Sequence, residues 1–95
     1  LNRSNRVIDR MKLSQGGISG TVTDVRIIMK KAIEFLASGI IVCHNHPSGN
    51  LNPSESDSRI TQKIRESGSL MDIQLLDHLI ISGNDFFSFA DNGLL

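Results

Sequence analysis

Hydrophobic residues recur along the chain with two different periods, and the change of period predicts the order of its elements. Residues 6–13, RVIDRMKL, alternate imperfectly between apolar and polar positions, which indicates a half-buried strand, the second arm of a hairpin. After Asp24, a good N-cap, apolar side chains recur three and four positions apart. A helix over 25–37, closed by Gly39, is therefore predicted.

The second half of the pattern predicts a strand, a helix and a hairpin. The continuous apolar run GIIVCH, residues 39–44, is typical of a central strand covered on both faces. A surface helix with few apolar residues begins near Ser54 and stops at Gly68. Residues 72–82 and 86–90 form two strands around a Gly-Asn-Asp turn. The order β, α, β, α, β, β predicts an α/β fold, a mixed β-sheet flanked by helices.

Composition adds the size of the unit and little about its partners. With 95 residues the chain is expected to be a single domain over 1–95, and its start on Leu1 suggests truncation at the N-terminus. Net charge is zero. Residues 1–43 carry seven Lys/Arg against three Asp/Glu and the remainder carries three against seven. We interpret this mild dipole as two solvated faces rather than a functional patch.

The cysteine count and the absence of long apolar runs favour a cytoplasmic protein. Cys43 is the one cysteine and cannot form an internal disulfide. Beside His44 but on the opposite face of its strand, it is expected to be a small buried hydrophobe rather than a ligand or nucleophile. No apolar run approaches the roughly 20 residues of a membrane span, and the first residues lack the apolar core of a signal peptide. We expect no membrane partner.

Candidate chemistry is concentrated in HNHPSGNLNPSESD, residues 44–57. His44 and His46 are two positions apart, so in a strand both imidazoles point to the same face. A loop containing Pro and Gly follows, and Gly49 is suited to a positive φ that lets the backbone approach a metal. If the loop folds back, Asp57 in the first turn of the next helix completes a His, His, Asp set. Three such ligands leave a fourth zinc position for water, as in catalytic zinc sites.

A simpler interpretation accounts for half of this motif. Ser54 at the N-cap and Asp57 three residues later fit a capping box, which needs no metal. An isolated His-x-His pair is also a weak signal. The two roles are compatible, because capping would fix where the Asp57 carboxylate lies.

The same residues carry a family resemblance. HNHPSG followed by PSESD matches the JAMM (MPN-type) metalloprotease signature, His-x-His, seven residues, then Ser-x-x-Asp. With GTV at 20–22, CHNHPSGNLNPS and DIQLLDHLII at 72–81, the whole chain resembles the bacterial RadC family. The resemblance implies a JAMM/MPN domain, similar to the cytidine deaminase fold, with a Zn²⁺ cofactor. It also implies that His44, His46 and Asp57 are the metal ligands and that the catalytic Ser54 hydroxyl helps hold the developing oxyanion.

The sequence departs from the family pattern at the general base, a glutamate on an upstream strand. The only glutamate before His44 is Glu34, for which an i,i+4 pair with Lys30 is expected. Asp9 is a weak substitute, and a glutamate preceding Leu1 is an alternative. His78, next to Asp77, is interpreted as a structural histidine rather than a fourth ligand.

Two functions from different classes follow. The first is a zinc hydrolase that cleaves amide or isopeptide bonds of a peptide or protein with a metal-activated water. The second is a weakened or inactive metal-binding module that recognises a protein or nucleic acid. The family is traditionally labelled DNA repair, but no basic stripe or recognition helix supports DNA reading here. An exposed sheet edge would allow a homo-oligomer.

Overall fold

Two helices pack on one face of a three-stranded sheet in the computed structural model, which describes residues 24–46 and 49–95. The elements are α1 Val25–Glu34, β1 Gly39–Asn45, α2 Glu55–Leu70, β2 Gln74–Ser82 and β3 Asp85–Ser88. Their order confirms the last five predicted elements, and the α/β class is confirmed. The strand predicted over 6–13 lies outside the described residues. Neither described helix is long and apolar enough to cross a membrane.

The sheet is mixed, as expected. Its strand order is β1-β2-β3; β1 and β2 are parallel and joined through α2, whereas β2 and β3 form an antiparallel hairpin. In this register His44 lies opposite Ile80. In the chain, β1 is followed directly by α2, and the carboxyl end of β1 lies next to the first turn of α2.

The core lies between the sheet and the two helices. Both helices direct their apolar residues to the same sheet face, and the side chains that meet there are Val25, Ile28, Met29, Ile64 and Leu75, with Ile40, Val42 and Ile60 beside them. Ile64 is completely buried although α2 is otherwise a polar helix. This confirms the prediction of a surface helix with few apolar residues.

The other face of β1 contradicts the prediction of a strand covered on both sides. Ile41, Cys43 and Asn45 are exposed, and β1 pairs with β2 alone among the described strands. The prediction that Cys43 is buried is wrong for the same reason: alternate side chains of a strand face opposite ways, and only one face meets the helices. Partial burial of the sulfur raises the pKa of Cys43, and the nearby Asp77 charge adds to this. The thiol is thus a poor nucleophile at neutral pH.

Helix α1 begins at the predicted N-cap but ends earlier than predicted. The Asp24 side chain accepts the Arg26 N–H, whereas the helix stops at Glu34 and Gly39 already belongs to β1. Leu36, with φ of 48°, takes the left-handed position. Its N–H donates to Ile33 O at 3.0 Å, and the next residue donates to Ala32 O at 2.9 Å. These bonds form a Schellman motif without glycine.

Helix α2 continues past the predicted stop. It runs through Gly68 to Leu70, and Asp72, with φ of 57°, ends it in a second Schellman motif. A Cβ on Gly68 would lie 2.3 Å from the Ile73 carbonyl oxygen. Gly68 is thus required for close packing of α2 on the chain leading into β2, and the prediction that it terminates the helix is wrong.

Leu36→Gly is expected to raise the free energy of unfolding by about 0.5–1 kcal/mol, because glycine adopts a left-handed conformation without the Cβ penalty. Leu36 is 86% exposed, so little packing is lost. Urea titration of both forms measures the change. Leu70→Gly is the matched control: Leu70 is 89% exposed but helical, and the same substitution there should destabilise. Equal destabilisation by both substitutions would contradict the proposed strain at Leu36.

Candidate metal centre

Three potential metal ligands converge at the carboxyl end of β1. His44 and His46 project from the helix-facing side of the strand end, and the His46 N–H donates to Ile81 O at 2.9 Å, which holds the chain against β2. The first turn of α2 brings Asp57 to the same point. One ligand atom from each of the three residues lies within 4.8 Å of the others.

The Asp57 carboxylate lies between the two imidazoles. Its Oδ1 is 2.8 Å from His44 Nδ1, and its Oδ2 is 3.2 Å from His46 Nε2. The two rings meet edge to face with centroids 4.7 Å apart. The side chain of Asp57 is 3% exposed, that of His46 17% and that of His44 35%. The cluster is therefore closed beneath the carboxylate and open beside His44.

The predicted capping box is present and shares the same carboxylate. Ser54 Oγ accepts the Asp57 N–H at 3.0 Å, while Asp57 Oδ2 accepts the Ser54 N–H at 2.7 Å. Burial acts to raise the pKa of Asp57, but the hydrogen bonds with Ser54 and the nearby histidines outweigh it, so the pKa lies below its usual value. The helix cap therefore both orients Asp57 and keeps it ionised.

The His46 ring is held by a backbone carbonyl. Its Nδ1 lies 2.8 Å from Asn50 O, and because a carbonyl only accepts, Nδ1 must carry the proton. Gly49 has φ of 86°, as expected, and its N–H donates to His46 O at 3.2 Å. The turn after β1 thus fixes which nitrogen of His46 faces Asp57. Residues 47 and 48 lie outside the described part of the chain.

His78 is a buried histidine outside the three-residue cluster, in agreement with its interpretation as a non-ligand. It is 2% exposed, and its Nδ1 lies 2.5 Å from Thr61 Oγ1. Its ring stacks on Phe89 with centroids 4.7 Å apart. Burial lowers the pKa of His78 despite the opposing charge of Asp57.

The glutamates of this sequence, candidates for the general base that the family pattern requires, pair with side chains of their own helices. The chain has three, and each bonds within its own helix: Glu34 to Lys30 and Lys31, Glu55 to Arg59, and Glu66 to Gln62. The expected pairing of Glu34 with Lys30 is confirmed, at 4.0 Å. Asp9, the weak substitute, lies outside the described residues.

Two contributors to the site were missed from the sequence. Asn50 acts through its backbone carbonyl, which no residue pattern marks. Thr61, 3% exposed, lies one helical turn after Asp57 and donates its hydroxyl to Asp57 O at 2.7 Å. The signal available in the sequence was a threonine four positions after Asp57, on the same face of an otherwise polar helix.

A shallow groove of about 460 Å³ lies at the opposite end of the sheet. It is lined by residues that immediately precede β1 and β2, among them Leu36, Ser38, Met71 and Asp72. In open α/β sheets ligands bind at the carboxyl ends of the strands. The groove lies at the amino ends, so the His44 end of β1 is the better candidate.

A His-x-His strand end and a helix-borne aspartate, set on a mixed sheet with helices packed against it, define a JAMM-type module. The family comparison is more specific, because the model of the RadC-like JAB domain matches residues 1–94. The chain belongs to the RadC-like JAB domain family. This confirms the resemblance found in the sequence.

Several curated relatives share this similarity. The chain is 52% identical over 94 residues to a UPF0758 protein of Flavobacterium johnsoniae, covering 99% of the chain and 41% of the relative. It is 53% identical over 97 residues to a UPF0758 protein of Porphyromonas gingivalis, covering 100% of the chain and 42% of the relative. It is 43% identical over 95 residues to the UPF0758 protein YfjY of Escherichia coli, covering 100% of the chain and 59% of the relative. The chain thus spans about two-fifths to three-fifths of these proteins.

Proposed function

We propose that this domain binds one zinc ion through His44, His46 and Asp57 and hydrolyses amide or isopeptide bonds. The observation that carries the proposal is the orientation of His46. Its Nδ1–H donates to Asn50 O, so the lone pair of a neutral ring is on Nε2, 3.2 Å from Asp57 Oδ2.

A lone pair facing a carboxylate oxygen is unfavourable unless a positive charge lies between them. That charge is either a second proton on His46 or a metal ion shared by both groups. His44 Nδ1, 2.8 Å from Asp57 Oδ1, differs in that a neutral ring with its proton on Nδ1 could donate to that oxygen. A single cation in contact with all three residues satisfies both imidazoles and the buried carboxylate at once, which supports the metal.

The donor set suits zinc. Two imidazole nitrogens and one carboxylate oxygen are borderline and hard ligands of the kinds found in catalytic zinc sites. One ligand atom from each of the three residues lies within 4.8 Å of the others, so His44, His46 and Asp57 would hold a single ion together. When bound, the ion would act as a Lewis acid on a substrate carbonyl and would make a water molecule acidic enough to become a nucleophile near neutral pH.

The residues of the chain would perform the remaining tasks. Asp57, held by the Ser54 N–H, keeps the negative charge fixed in the cluster. Ser54 Oγ uses a lone pair to accept the Asp57 N–H, so its own proton stays available to donate to the developing oxyanion. Ser54 is exposed, which leaves it accessible to a substrate carbonyl. Because Glu34, Glu55 and Glu66 pair with side chains of their own helices, we assign the proton acceptor for the attacking water to another group.

The engagement of all three glutamates within their own helices favours a second candidate function. A module with the metal ligands but without the base would bind a metal and recognise a partner without cleaving it. Both candidates predict metal binding, and they differ only in turnover.

We propose a peptide or protein rather than DNA as the molecule recognised. The chain has zero net charge, and α2 presents the exposed Glu55 in its first turn beside the cluster, where a carboxylate would repel phosphates. We likewise propose a cytoplasmic location, where a lone cysteine stays reduced.

The test is metal analysis of the full-length protein purified without chelator, followed by turnover. The wild type should hold about one zinc ion per chain and His46→Ala should hold almost none, because a third of the donor set is removed. Cys43→Ala is the matched control, because it removes a thiol next to His44 that is not a member of the cluster. This variant should bind as much zinc as the wild type. Release of amine from peptide and isopeptide substrates should stop on chelation and return with zinc.

Two results would contradict the proposal in different ways. Equal zinc in the wild type and in His46→Ala would end the assignment of the metal centre. Zinc bound by the wild type with no amine released would end the hydrolase and leave the metal-binding module.

A further inference from the structure

A buried hydrogen bond connects the metal centre to β2. His78 Nδ1 and Thr61 Oγ1 are 2.5 Å apart, and Thr61 Oγ1 is also 2.7 Å from Asp57 O. His78 and Thr61 are 2% and 3% exposed. Seventeen residues separate them in the chain, so the contact depends on how α2 packs on the sheet.

The direction of these bonds follows from counting protons. A threonine hydroxyl has one proton, and Asp57 O, a carbonyl, can only accept it. Thr61 Oγ1 therefore accepts from His78 Nδ1–H. The bonds run from His78 to Thr61 to the peptide group of Asp57, and they fix the position of that residue relative to β2.

The same imidazole lies beside a second proposed ligand. The His78 ring is nearly parallel to that of His44, at 14° and with centroids 6.2 Å apart, and Phe89 packs on His78 at 4.7 Å. His78 is thus held between a core aromatic ring and His44. His78 is thus linked to two of the three members of the cluster. It reaches Asp57 through the Thr61 hydroxyl, and its ring stacks beside that of His44.

Packing alone does not account for a histidine here. His78 Nε2 is buried and has no hydrogen-bond partner among the residues that the structure describes. A phenylalanine would fill the same space without burying an unpaired polar atom. The feature that histidine adds is the Nδ1–H that reaches Thr61.

We infer that His78 is a positioning residue of the metal centre, which sets Asp57 through the Thr61 hydroxyl and orients His44 with its ring. The inference rests on the proposed zinc site and adds the group that holds its geometry. Partners of this kind, one step removed from the metal, typically change metal affinity by about 10–100-fold when mutated.

The experiment compares zinc affinity in full-length wild-type, Thr61→Val, Thr61→Ser and His78→Phe proteins by competition with a chromophoric chelator. Thr61→Val keeps the shape of the side chain and removes the hydroxyl, and it should weaken zinc binding about 10–100-fold. His78→Phe keeps the stacked ring and should weaken it similarly. Thr61→Ser restores the hydroxyl and should bind like the wild type. The double variant should bind no more weakly than Thr61→Val alone, because Thr61→Val already removes the bond that His78→Phe removes.

Two further readouts separate positioning from general stability. With Co²⁺ in place of zinc, the visible absorption of Thr61→Val should shift from that of the wild type and Thr61→Ser, since ligand geometry sets that spectrum. Thermal melting of the metal-free proteins measures any loss of packing separately. If His78→Phe does not fold, His78→Asn replaces it as the His78 variant, and the Thr61→Val and Thr61→Ser pair tests the hydroxyl through which His78 acts.

The outcomes also separate the inference from the function on which it rests. A wild-type protein without zinc affinity would overturn the metal centre and the inference with it. Tight zinc binding by the wild type, with unchanged affinity and Co²⁺ spectrum in Thr61→Val and lower melting temperature only, would overturn the inference alone and make His78 a core residue.

Discussion

Asp57→Asn should lower zinc affinity by more than about 100-fold. Changing a residue one step removed from a metal costs up to about 100-fold, and the proposed site makes Asp57 a direct ligand. The substitution keeps the size of the side chain and removes its charge. An asparagine oxygen can still accept the Ser54 N–H, so the start of α2 should survive. The remaining amide group would present N–H protons to histidine nitrogens or to the cation in place of an anionic oxygen.

Competition titration of the full-length protein measures this loss, with circular dichroism as the check that α2 persists. Asp91→Asn is the matched control: it removes one carboxylate at an exposed position outside the cluster and should leave affinity within about twofold, since exposed charges interact weakly through water. Retention of full affinity in Asp57→Asn would show that the carboxylate is a helix cap and not a ligand.

Gly68→Ala should lower the free energy of unfolding by about 2 kcal/mol, because overpacking against backbone costs about 3 kcal/mol and the helix-propensity gain returns about 1 kcal/mol. The new methyl group would lie 2.3 Å from Ile73 O, and a backbone oxygen cannot rotate away as a flexible side chain can. Relief requires α2 to move from the chain that leads into β2.

Chemical denaturation monitored by circular dichroism gives the magnitude. Ser69→Ala is the control, since Ser69 is exposed in the same turn of α2 and alanine there should stabilise by a few tenths of a kcal/mol. A stabilising effect of Gly68→Ala, similar to that of the control, would show that α2 and Ile73 do not approach so closely.

The parts of the site that follow local rules were predictable from sequence. Strand alternation placed His44 and His46 on one face, and the Ser54 and Asp57 spacing gave a capping box. Both depend on neighbours within four residues. The convergence of the two motifs was an expectation that the geometry of the cluster bears out, although its metal remains a proposal.

The predictions that failed concern where the helices end and which face of a strand is covered. Glycine was expected to end both helices, but Leu36 and Asp72 take the left-handed positions, and Gly68 is needed where Ile73 passes close by. The exposure of Cys43 depends on which sheet face the helices cover.

The contact between Thr61 and His78 joins residues 17 positions apart. No local pattern encodes such a contact, so the sequence indicated the members of the cluster but not the contact behind them.

The double use of the Asp57 carboxylate, as helix cap and as member of the cluster, makes folding and cation capture interdependent. A chain in which α2 has not started has no third ligand in position, so under the proposed function an incompletely folded copy is also an unloaded one. A cation that binds only the folded form raises the free energy of unfolding. This stabilisation grows as the cation concentration rises above the dissociation constant of the site. Metal supply would then influence how long each molecule survives as well as whether it is competent.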